Sequence, residues 1–417
     1  MAASVRARRR AGLVGGIRSC YTNSRTSTIV VNRGDPVRIV VVGAGLGGVA
    51  AAVGLHRLGH EVTLIERGAE LREAGTGIVV MPNGLRALDA VGLAEGVREH
   101  VMREGRGGLR DRRGRPLLIT DLDRVRQQIG TPVIIDRARL HRALRAPLPA
   151  ELVLTSTPVE RLDADSTRVT VIADGEPVAR ADAVIAADGI GSRLRAQLFP
   201  GHPGLRRTGR MDLRGMLPRP PGLDADLLTS QLVDRRNGAM FGLYPVGENL
   251  LYWFTDSALH GTPPDADEAR RQMLSLMADW HPVVATLIEA TPAADIYVDP
   301  ITRLAEPLPS FAVGRIAFLG DAAHAMPPDL GQGSSQAFED AAALTRHLTG
   351  AEPADVPRRL LRYDAERRPS ANRMMRAASR QSWLTSRTGV TASLRDALLR
   401  AVPSRLATRQ LAALWRV

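Results

Sequence analysis

The chain has 417 residues, of which 44% are hydrophobic, and a formal net charge of +12 at pH 7. A chain of this length can bury a substantial core in two or three folding units, which excludes a disordered protein. No apolar run approaches the ~18 residues that a membrane-spanning helix requires. The sequence therefore predicts no transmembrane segment.

The basic excess does not predict a nucleic-acid partner. All 56 basic residues are arginine, which is a bias of composition, and seven of them fall within residues 1–36. Aromatic residues make up only 4% of the chain, and no basic stripe interleaved with aromatics occurs. We predict no nucleic-acid binding, and we interpret residues 1–36 as a disordered basic extension that superficially resembles a transit peptide.

Two missing residue types exclude further classes of chemistry. Without lysine the chain can form no Schiff base and has no P-loop lysine. Cys20 is the only cysteine, which excludes structural disulfides, CxxC redox motifs and cysteine-rich metal sites. We expect no metal ion and a cytoplasmic location.

In chain order, the first predicted unit is β-α-β. A buried strand, VRIVVVG, leads through a glycine turn into a helix and then into a second strand, EVTLIE. One face of that helix is apolar and carries Leu46, Val49, Ala50 and Val53. A short helix near Pro82, a hairpin region through about residue 135, and a strand-to-helix segment IIDRARLHRALR follow.

The second half of the chain changes character twice. Strands in ELVLTSTPVERL, RVTVIAD and DAVIAADG are separated by Asp/Gly turns that are typical of an antiparallel excursion. A Pro- and Gly-rich stretch then leads into alternating segments such as MFGLYPV and LLYWFTD. Near Arg315 the strand RIAFLG again has the apolar pattern of the first β-α-β unit. The arginine-rich tail beyond Pro353 is predicted to be helical, with an interruption at Pro369.

The GAGLGG turn predicts a nucleotide site. Gly43 permits a tight turn, Gly45 lets a pyrophosphate approach the backbone, and Gly48 allows close packing of helix on strand. Glu66 ends the second strand, 18 residues beyond Gly48, where a carboxylate can bind both hydroxyls of an adenosine ribose and would repel a 2′-phosphate. The half-site therefore suits FAD or NAD, and the neighbouring candidates are Leu46 and Arg67.

The segment RIAFLGDAAHAMPPDLGQGSSQAFEDA favours FAD over NAD. Its strand ends at Asp321, whose carboxylate can accept hydrogen bonds from ribityl hydroxyls. Gly331 and Gly333 then open a helix whose first free amides belong to Gly333, Ser334 and Ser335. Such a helix end stabilises the negative charge of a reduced flavin by up to ~2 kcal/mol, or about 1.5 pKa units. An NAD dehydrogenase has no use for this arrangement.

Three motifs, GAGLGG, DAVIAADGIGSRLR and GDAAHAMPPDLGQGSSQAFEDA, resemble those of the group A FAD-dependent aromatic hydroxylases, the para-hydroxybenzoate and salicylate hydroxylase-like family. The resemblance spans roughly residues 37–380. It implies that Asp188 and Gly189 lie near FAD and the transient nicotinamide site, and that Arg137 contacts FAD. Asp321 would hold the ribityl or pyrophosphate region.

The segment LREAGTGIVVMPNGLRAL matches the family's region beside the flavin ring, so the resemblance places Gly77 and Ile78 there. Some members carry a histidine base two residues after that glycine, but this chain has Val79, so no catalytic residue is assigned. His324 is interpreted as a loop histidine with satisfied hydrogen bonds.

The activity implied is that of a single-component FAD monooxygenase. NADH or NADPH would reduce FAD, O₂ would be captured as a C4a-hydroperoxide, and oxygen would be delivered to a small organic substrate by hydroxylation or epoxidation. No second GxGxxG occurs, so the nicotinamide would bind only transiently. The alternatives are a flavin oxidase or reductase that inserts no oxygen, an NAD dehydrogenase, and a non-enzymatic flavin-binding protein.

The predicted fold class is α/β. Residues 37–200 and 300–360 form a Rossmann-like FAD-binding domain, residues 201–299 an inserted sheet-containing substrate domain, and residues 361–417 a C-terminal helical segment. Substrate identity, the choice between NADH and NADPH, and the oligomeric state stay open. Candidate pocket residues are Met216, Met240, Phe241 and Tyr244, each of which could equally be plain core, together with Pro328 and Arg214. An arginine such as Arg214 could bind an acidic substrate.

Overall fold

The structure is a computed structural model that describes residues 35–71, 76–98, 107–258, 265–403, 405–406 and 408–409. Nearly all of the predicted basic extension lies outside the described residues, as do Cys20 and the last residues of the C-terminal segment. Nothing in the described residues therefore bears on those predictions.

The first half of the described chain alternates short strands and helices. The strands are β1 (Arg38–Val42), β2 (Glu61–Ile65), β3 (Gly77–Val80), β4 (Gly108–Asp111), β5 (Pro116–Ile119), β6 (Val133–Asp136), β7 (Val153–Leu154), β8 (Val159–Ala164), β9 (Val169–Ala173), β10 (Glu176–Ala181) and β11 (Ala183–Ala186). The helices are α1 (Leu46–Arg57), α2 (Pro82–Ala90), α3 (Glu95–Arg98), α4 (Leu122–Ile129), α5 (Arg137–Arg145) and α6 (Arg193–Leu198).

The second half begins with a long strand and ends in helices. The strands are β12 (Leu205–Pro218), β13 (Ser230–Val233), β14 (Met240–Val246), β15 (Leu250–Asp256), β16 (Tyr297–Leu304), β17 (Ala312–Val313) and β18 (Ile316–Phe318). The helices are α7 (Ala266–Leu276), α8 (Pro282–Ala290), α9 (Asp321–His324), α10 (Gly333–Leu348), α11 (Val356–Thr385) and α12 (Gly389–Ala401).

A six-stranded sheet in the order β17-β18-β11-β1-β2-β7 forms the nucleotide-binding side. Strand β1 pairs in parallel with β2 and β11, and β11 pairs in parallel with β18. The predicted β-α-β unit is confirmed. The placement of DAVIAADG in an antiparallel excursion is wrong, because all four residues of β11 are buried, and such a strand suits the interior of a parallel sheet. Strands β8, β9 and β10 alone form the antiparallel excursion.

A seven-stranded sheet in the order β16-β12-β15-β14-β13-β4-β5 forms the second side. The hairpin β4-β5 extends it through a parallel pairing of β4 with β13, so residues 108–119 contribute to this sheet although they precede the main segment by almost a hundred residues. The predicted hairpin region also contains a helix, α4, that the sequence analysis did not anticipate. The Asp121 carboxylate caps it by accepting from Arg124 N at 2.9 Å.

The C-terminal helix α11 is continuous, so the predicted interruption at Pro369 is wrong. Proline inside a helix costs ~3 kcal/mol, and the packing of buried residues before and after Pro369 offsets this penalty. Tyr363 and Arg367 before the proline and Ala371 and Met374 after it are all buried. In the described residues no helix is both long and apolar enough to span a bilayer.

Candidate functional site

Four predicted residues follow the carboxyl ends of parallel strands. Gly43 follows β1, Glu66 follows β2, Asp188 lies after β11, and Asp321 lies after β18. Parallel strands end at the same edge of a sheet, which is where open α/β folds bind ligands. Residues that are almost three hundred positions apart in sequence therefore line one edge.

The glycine turn has the steric features that a phosphate needs. A Cβ on Gly43, whose φ is +106°, would lie 2.3 Å from Ala187 O, and a Cβ on Gly48 would lie 2.0 Å from Gly43 O. A Cβ on Gly45 would meet nothing within 4 Å. Two glycines thus permit close packing of α1 on β1, while the third faces open space at the first turn of the helix.

Glu66 spans the turn from the side of β2. Its Oε2 accepts from Ala44 N at 2.9 Å and its Oε1 accepts from Gly68 N at 2.9 Å. Leu46 is buried at the start of α1, whereas Arg67 is exposed. The carboxylate is therefore held at the rim of the turn, where ribose hydroxyls could replace its backbone partners.

His141 supports the same turn and was not singled out by the sequence analysis. Its Nε2 lies 2.7 Å from Ala44 O, so α5 is tied to the glycine turn. The histidine lies in the quoted segment DRARLHRAL, four residues after the predicted Arg137, and is therefore one helical turn away on the same face.

Asp321 is accessible to solvent although protein surrounds it, as expected for a carboxylate on the wall of an open cleft. Desolvation by the surrounding protein raises the pKa of its carboxyl group, and its interactions with His324, Arg137 and Arg195 lower it. Nearby, a Cβ on Gly47 would lie 2.8 Å from Leu319 Cδ1. The first turn of α1 therefore packs directly against the loop that carries Asp321.

Arg195 is a residue that the sequence analysis missed, although it lies in the quoted motif DAVIAADGIGSRLR. It donates to Ile190 O at 2.6 Å and Ala322 O at 3.1 Å. Its guanidinium thus joins the loop after β11 to the loop after β18. Asp188 lies beside it, and burial raises the pKa of this carboxyl. Asp188 Oδ1 has no hydrogen-bond partner among the described residues.

A buried ion-pair network stands behind the Asp321 loop. Asp340 accepts from Gly320 N at 2.9 Å and from Arg367 Nε at 2.7 Å, and its Oδ2 lies 2.6 Å from His324 Nε2. All three side chains are buried. His324 Nε2 is therefore bonded inside the protein, but its Nδ1 has no hydrogen-bond partner among the described residues and the residue ends helix α9, so its interpretation as a loop histidine with satisfied hydrogen bonds is only half met.

The start of α10 lies against β3 and α2. Ser334 Oγ donates to Val79 O at 2.9 Å, and Met81 N donates to Ser335 Oγ at 3.0 Å. A Cβ on Gly331, whose φ is +60°, would lie 3.1 Å from Met81 Cε. The serine side chains fix the position of the helix, and the backbone amides of its first turn have no partner within the helix.

The seven-stranded sheet meets this region at Gly77. A Cβ there would lie 2.3 Å from Tyr252 Cγ, so β3 is in contact with β15. Ile134 of β6 and Val79 pack on the same face of the sheet, together with Tyr252 and Val246. The predicted flavin-side segment and the second sheet thus share an interface.

Strand pairing decides which candidate pocket residues face that interface. The paired positions Arg214 with Phe254 and Met216 with Tyr252 lie on the same face, and the next strand adds Tyr244 and Met240. Phe241 lies on the opposite face. It is fully buried and stacks on Trp253 with ring centroids 5.7 Å apart, so of its two alternatives Phe241 fits plain core.

One end of this face is charged. Arg210 donates to Asp256 Oδ1 at 2.5 Å, while Arg214 Nε lies 3.3 Å from Asp212 Oδ2 and its other end is paired with Asp299. We call this group the acidic end, and Arg214 is its only member among the predicted pocket residues. Its members are Arg210, Asp212, Arg214, Asp256, Asp299 and Asp329.

Asp329 brings the acidic end to the loop before α10. It adjoins Pro328, which is exposed, and it accepts from Thr385 Oγ1 at 3.1 Å. Burial, together with the nearby carboxylates of Asp256, Asp299 and Asp329, raises the pKa of Asp212 to about 8 against the attraction of Arg214. Burial likewise raises the pKa of Asp256 to about 6.

The raised pKa of Asp212 predicts how stability depends on pH. An acid whose pKa is higher in the folded than in the unfolded protein binds a proton on folding, so stability falls as pH rises from about 4 to about 8. Asp212→Asn removes this loss, and we expect it to stabilise the protein by up to ~5 kcal/mol at pH 8 and negligibly at pH 4. Thermal unfolding at the two pH values measures it, with exposed Asp267→Asn as control. Equal differences at both pH values would contradict the prediction.

A family model described as an FAD binding domain matches residues 36–378. The chain belongs to this FAD-binding family. The 6-hydroxynicotinate 3-monooxygenase of Bordetella bronchiseptica is 32% identical over 369 residues, which cover 84% of this chain and 93% of that protein. The aurachin C monooxygenase/isomerase of Stigmatella aurantiaca is 31% identical over 336 residues, covering 80% and 86%.

Solved structures of the family show the same fold. Klebsiella pneumoniae HpxO in complex with FAD and uric acid matches with a TM-score of 0.83 at 26% identity, covering 91% of this chain and 97% of that chain. A salicylate hydroxylase substrate complex matches with a TM-score of 0.74 at 25% identity, covering 92% and 96%. These findings confirm the predicted fold class, the resemblance to aromatic hydroxylases and FAD as the cofactor.

The chain is an FAD-dependent monooxygenase, and NAD(P)H is the co-substrate typical of the family. The residues present fit the cofactor. An added Cβ would meet nothing within 4 Å at Gly45 and Gly189, which follow strands of the six-stranded sheet, or at Gly333, which begins α10. Asp188 Oδ1, beside Gly189, lacks a partner among the described residues. No group of three or more potential metal ligands is found in the described part of the chain.

Proposed function

We propose that this enzyme binds FAD along the carboxyl edge of the six-stranded sheet and hydroxylates a small aromatic molecule. The substrate would lie against the inner face of the seven-stranded sheet, which is the face that packs against β3 and β6. The observation that carries the proposal is the convergence of Gly45, Glu66 and Asp321 at one edge, with the start of α10 beside β3. The relatives named above act on aromatic substrates according to their names.

Each predicted cofactor residue has a proposed role. Gly43, Gly45, Leu46 and Gly48 would hold the pyrophosphate at the first turn of α1, with Glu66 on the adenosine ribose. Arg67 would lie beside Glu66 at the adenosine end. The remaining candidates would contact the ribityl chain, the ring and the nearby nicotinamide, and they are Gly77, Arg137, Asp188, Asp321, Gly331, Gly333, Ser334 and Ser335.

FAD, when bound, supplies the redox chemistry that activates O₂. The amides of Gly333 and Ser334 point out of the first turn of α10 and would stabilise negative charge on a ring edge by up to ~2 kcal/mol. Ser334 and Ser335 hold that helix end in place through β3 and α2. The chain's own contribution is thus to orient the ring and to stabilise charge.

The inner face of the second sheet would hold the substrate and exclude water. Tyr244 and Phe254 stack with ring centroids 5.8 Å apart, and Tyr252 stacks on Phe254 at the same distance. Met216 and Met240 flank these rings. A flat apolar wall of this kind suits an aromatic ring, with Arg214 and Pro328 at its borders.

Substrate-dependent turnover tests the proposal. The purified protein should bind FAD and oxidise NADH or NADPH faster when an aromatic substrate is present, and ¹⁸O from ¹⁸O₂ should enter the product. Absence of flavin absorbance after reconstitution would overturn the proposal. NAD(P)H oxidation that never incorporates oxygen, for any aromatic compound tested, would instead favour a flavin oxidase or reductase.

The sequence supports proposals for the chain's domain bounds and its cellular location. We propose that residues 37–200 and 300–360 form the FAD-binding domain and residues 201–299 the substrate domain, to which residues 108–119 add two strands. We also propose a cytoplasmic location, supported by the single cysteine of the sequence.

A further inference from the structure

We propose that Asp212 makes the substrate site selective for an aromatic ring that carries a hydrogen-bond donor, such as the N–H of a lactam, and against an aromatic carboxylate. This inference rests on the proposed function, because it takes the inner face of the second sheet as the substrate site. It assigns to Asp212 a role in specificity and none in the chemical step.

The acidic end holds twice as many carboxyl groups as guanidiniums. Arg210 and Arg214 face the carboxyl groups of Asp212, Asp256, Asp299 and Asp329 there. Arg214 is paired with both Asp212 and Asp299, and Arg210 is paired with Asp256. A carboxylate substrate would therefore find no uncompensated positive charge, because Asp256 and Asp299 pair with the two arginines even when Asp212 is neutral.

The acidic end has more unsatisfied acceptors than donors. Asp212 is 9% exposed, and within the described residues two acceptors, Asp212 Oδ1 and Asp329 Oδ2, and one donor, Arg214 Nε, have no hydrogen-bond partner. The two carboxyl groups are close enough for Asp329 to influence the pKa of Asp212, so they border the same region. A buried acceptor without a donor is costly, and a ligand N–H or O–H would satisfy it.

Asp212 lies on the same face of the sheet as the aromatic wall, which is formed by Tyr244, Tyr252 and Phe254. Residues 212, 214 and 216 alternate along β12 and share the face that carries Phe254 and Tyr252. A ring stacked on that wall would therefore present one edge toward the acidic end. The wall selects a flat ring, and the acidic end selects which polar groups its edge carries.

Protonation adds a finer expectation. Burial keeps Asp212 neutral at pH 7, because its pKa is raised to about 8. A neutral carboxyl group has one donor and one acceptor, which complement the adjacent C=O and N–H of a lactam. The charged or titratable groups that face it are Arg210, Arg214, Tyr252, Asp256, Asp299 and Asp329.

Three probes of similar size, titrated into the FAD-loaded protein, show whether the site prefers a ring with a hydrogen-bond donor or an aromatic carboxylate. These are 2(1H)-quinolone, its N-methyl derivative, which lacks only the donor, and 2-naphthoate, which carries a carboxylate. Binding is followed by the change in flavin absorbance or fluorescence. We expect 2(1H)-quinolone to bind at least ~10-fold more tightly than the other two.

Variants of Asp212 show whether this residue causes the preference. Asp212→Leu removes donor and acceptor and should weaken quinolone binding ~10-fold while strengthening naphthoate binding, because Arg214 loses one partner. Asp212→Asn keeps one donor and one acceptor and should retain quinolone binding, including above pH 8, where the wild-type protein should lose it. Exposed Asp267→Asn, on α7, is the matched control and should behave as wild type.

Several results would overturn the inference. These are tighter binding of 2-naphthoate than of 2(1H)-quinolone, equal binding of 2(1H)-quinolone and its N-methyl derivative, an unchanged preference in Asp212→Leu, or no binding of any probe. Should Asp212→Leu fail to fold, the ratios in the wild type and the pH profile of Asp212→Asn decide. FAD content and NAD(P)H oxidation, measured first on the same preparations, report separately whether the proposed function fails.

Discussion

Gly48→Val should severely destabilise the protein, because its first added atom already collides with the backbone. The Cβ would lie 2.0 Å from Gly43 O and 3.2 Å from Ala187 Cβ. Neither neighbour can move without separating α1 from the central strands. We expect a loss at or beyond the upper end of the ~1–3 kcal/mol typical of overpacking, a fall in Tm of roughly 5–10 °C, and no bound flavin.

Gly45→Val is the matched comparison and should have the opposite profile. Its φ of −68° suits any residue, and its Cβ would meet nothing within 4 Å, so the protein without cofactor should keep its Tm. The valine would occupy the path of the pyrophosphate, and FAD should bind at least ~100-fold more weakly, or ~2.7 kcal/mol. Thermal unfolding and FAD titration of both variants measure this. Wild-type FAD affinity in Gly45→Val would show that the phosphates pass elsewhere.

Asp321→Ala should lose FAD without unfolding. Hydrogen bonds to a charged group contribute ~1.5–3 kcal/mol each, so the loss of one or two should weaken FAD binding by ~10-fold to more than 100-fold. Because burial raises the pKa of this carboxyl, its charge costs stability in the folded protein at pH 7. Removing it should therefore leave the Tm of the cofactor-free protein unchanged or slightly higher.

Fluorescence titration of FAD and thermal unfolding of the cofactor-free protein measure the effect of Asp321→Ala. The control is exposed Asp267→Ala, on α7, which should bind FAD as the wild type does. A yellow Asp321→Ala protein with the flavin content of the wild type would show that this carboxylate does not hold the cofactor.

The local motifs were predictable because each depends on near neighbours in sequence. The glycines of GAGLGG, the buried run of β1 and the apolar face of α10 satisfy steric and hydrophobic rules that hold within one or two elements. The same is true of Asp321, because a carboxylate placed just after a buried strand must lie at the edge of the sheet. The order of the strands in that sheet was not predictable, since β11 could be assigned between β1 and β18 only from its pairing partners.

The sequence by itself determined the nucleotide turn, the two sheet-bearing regions and the residues at the strand ends. Only the tertiary structure decided that Tyr244 faces the interface while Phe241 faces the core, because neighbouring strand residues point to opposite sides and the register sets which side is which. It also decided that Arg214 meets both Asp212 and Asp299. Ion pairs between separate strands depend on long-range pairing, so no local pattern in the sequence records them.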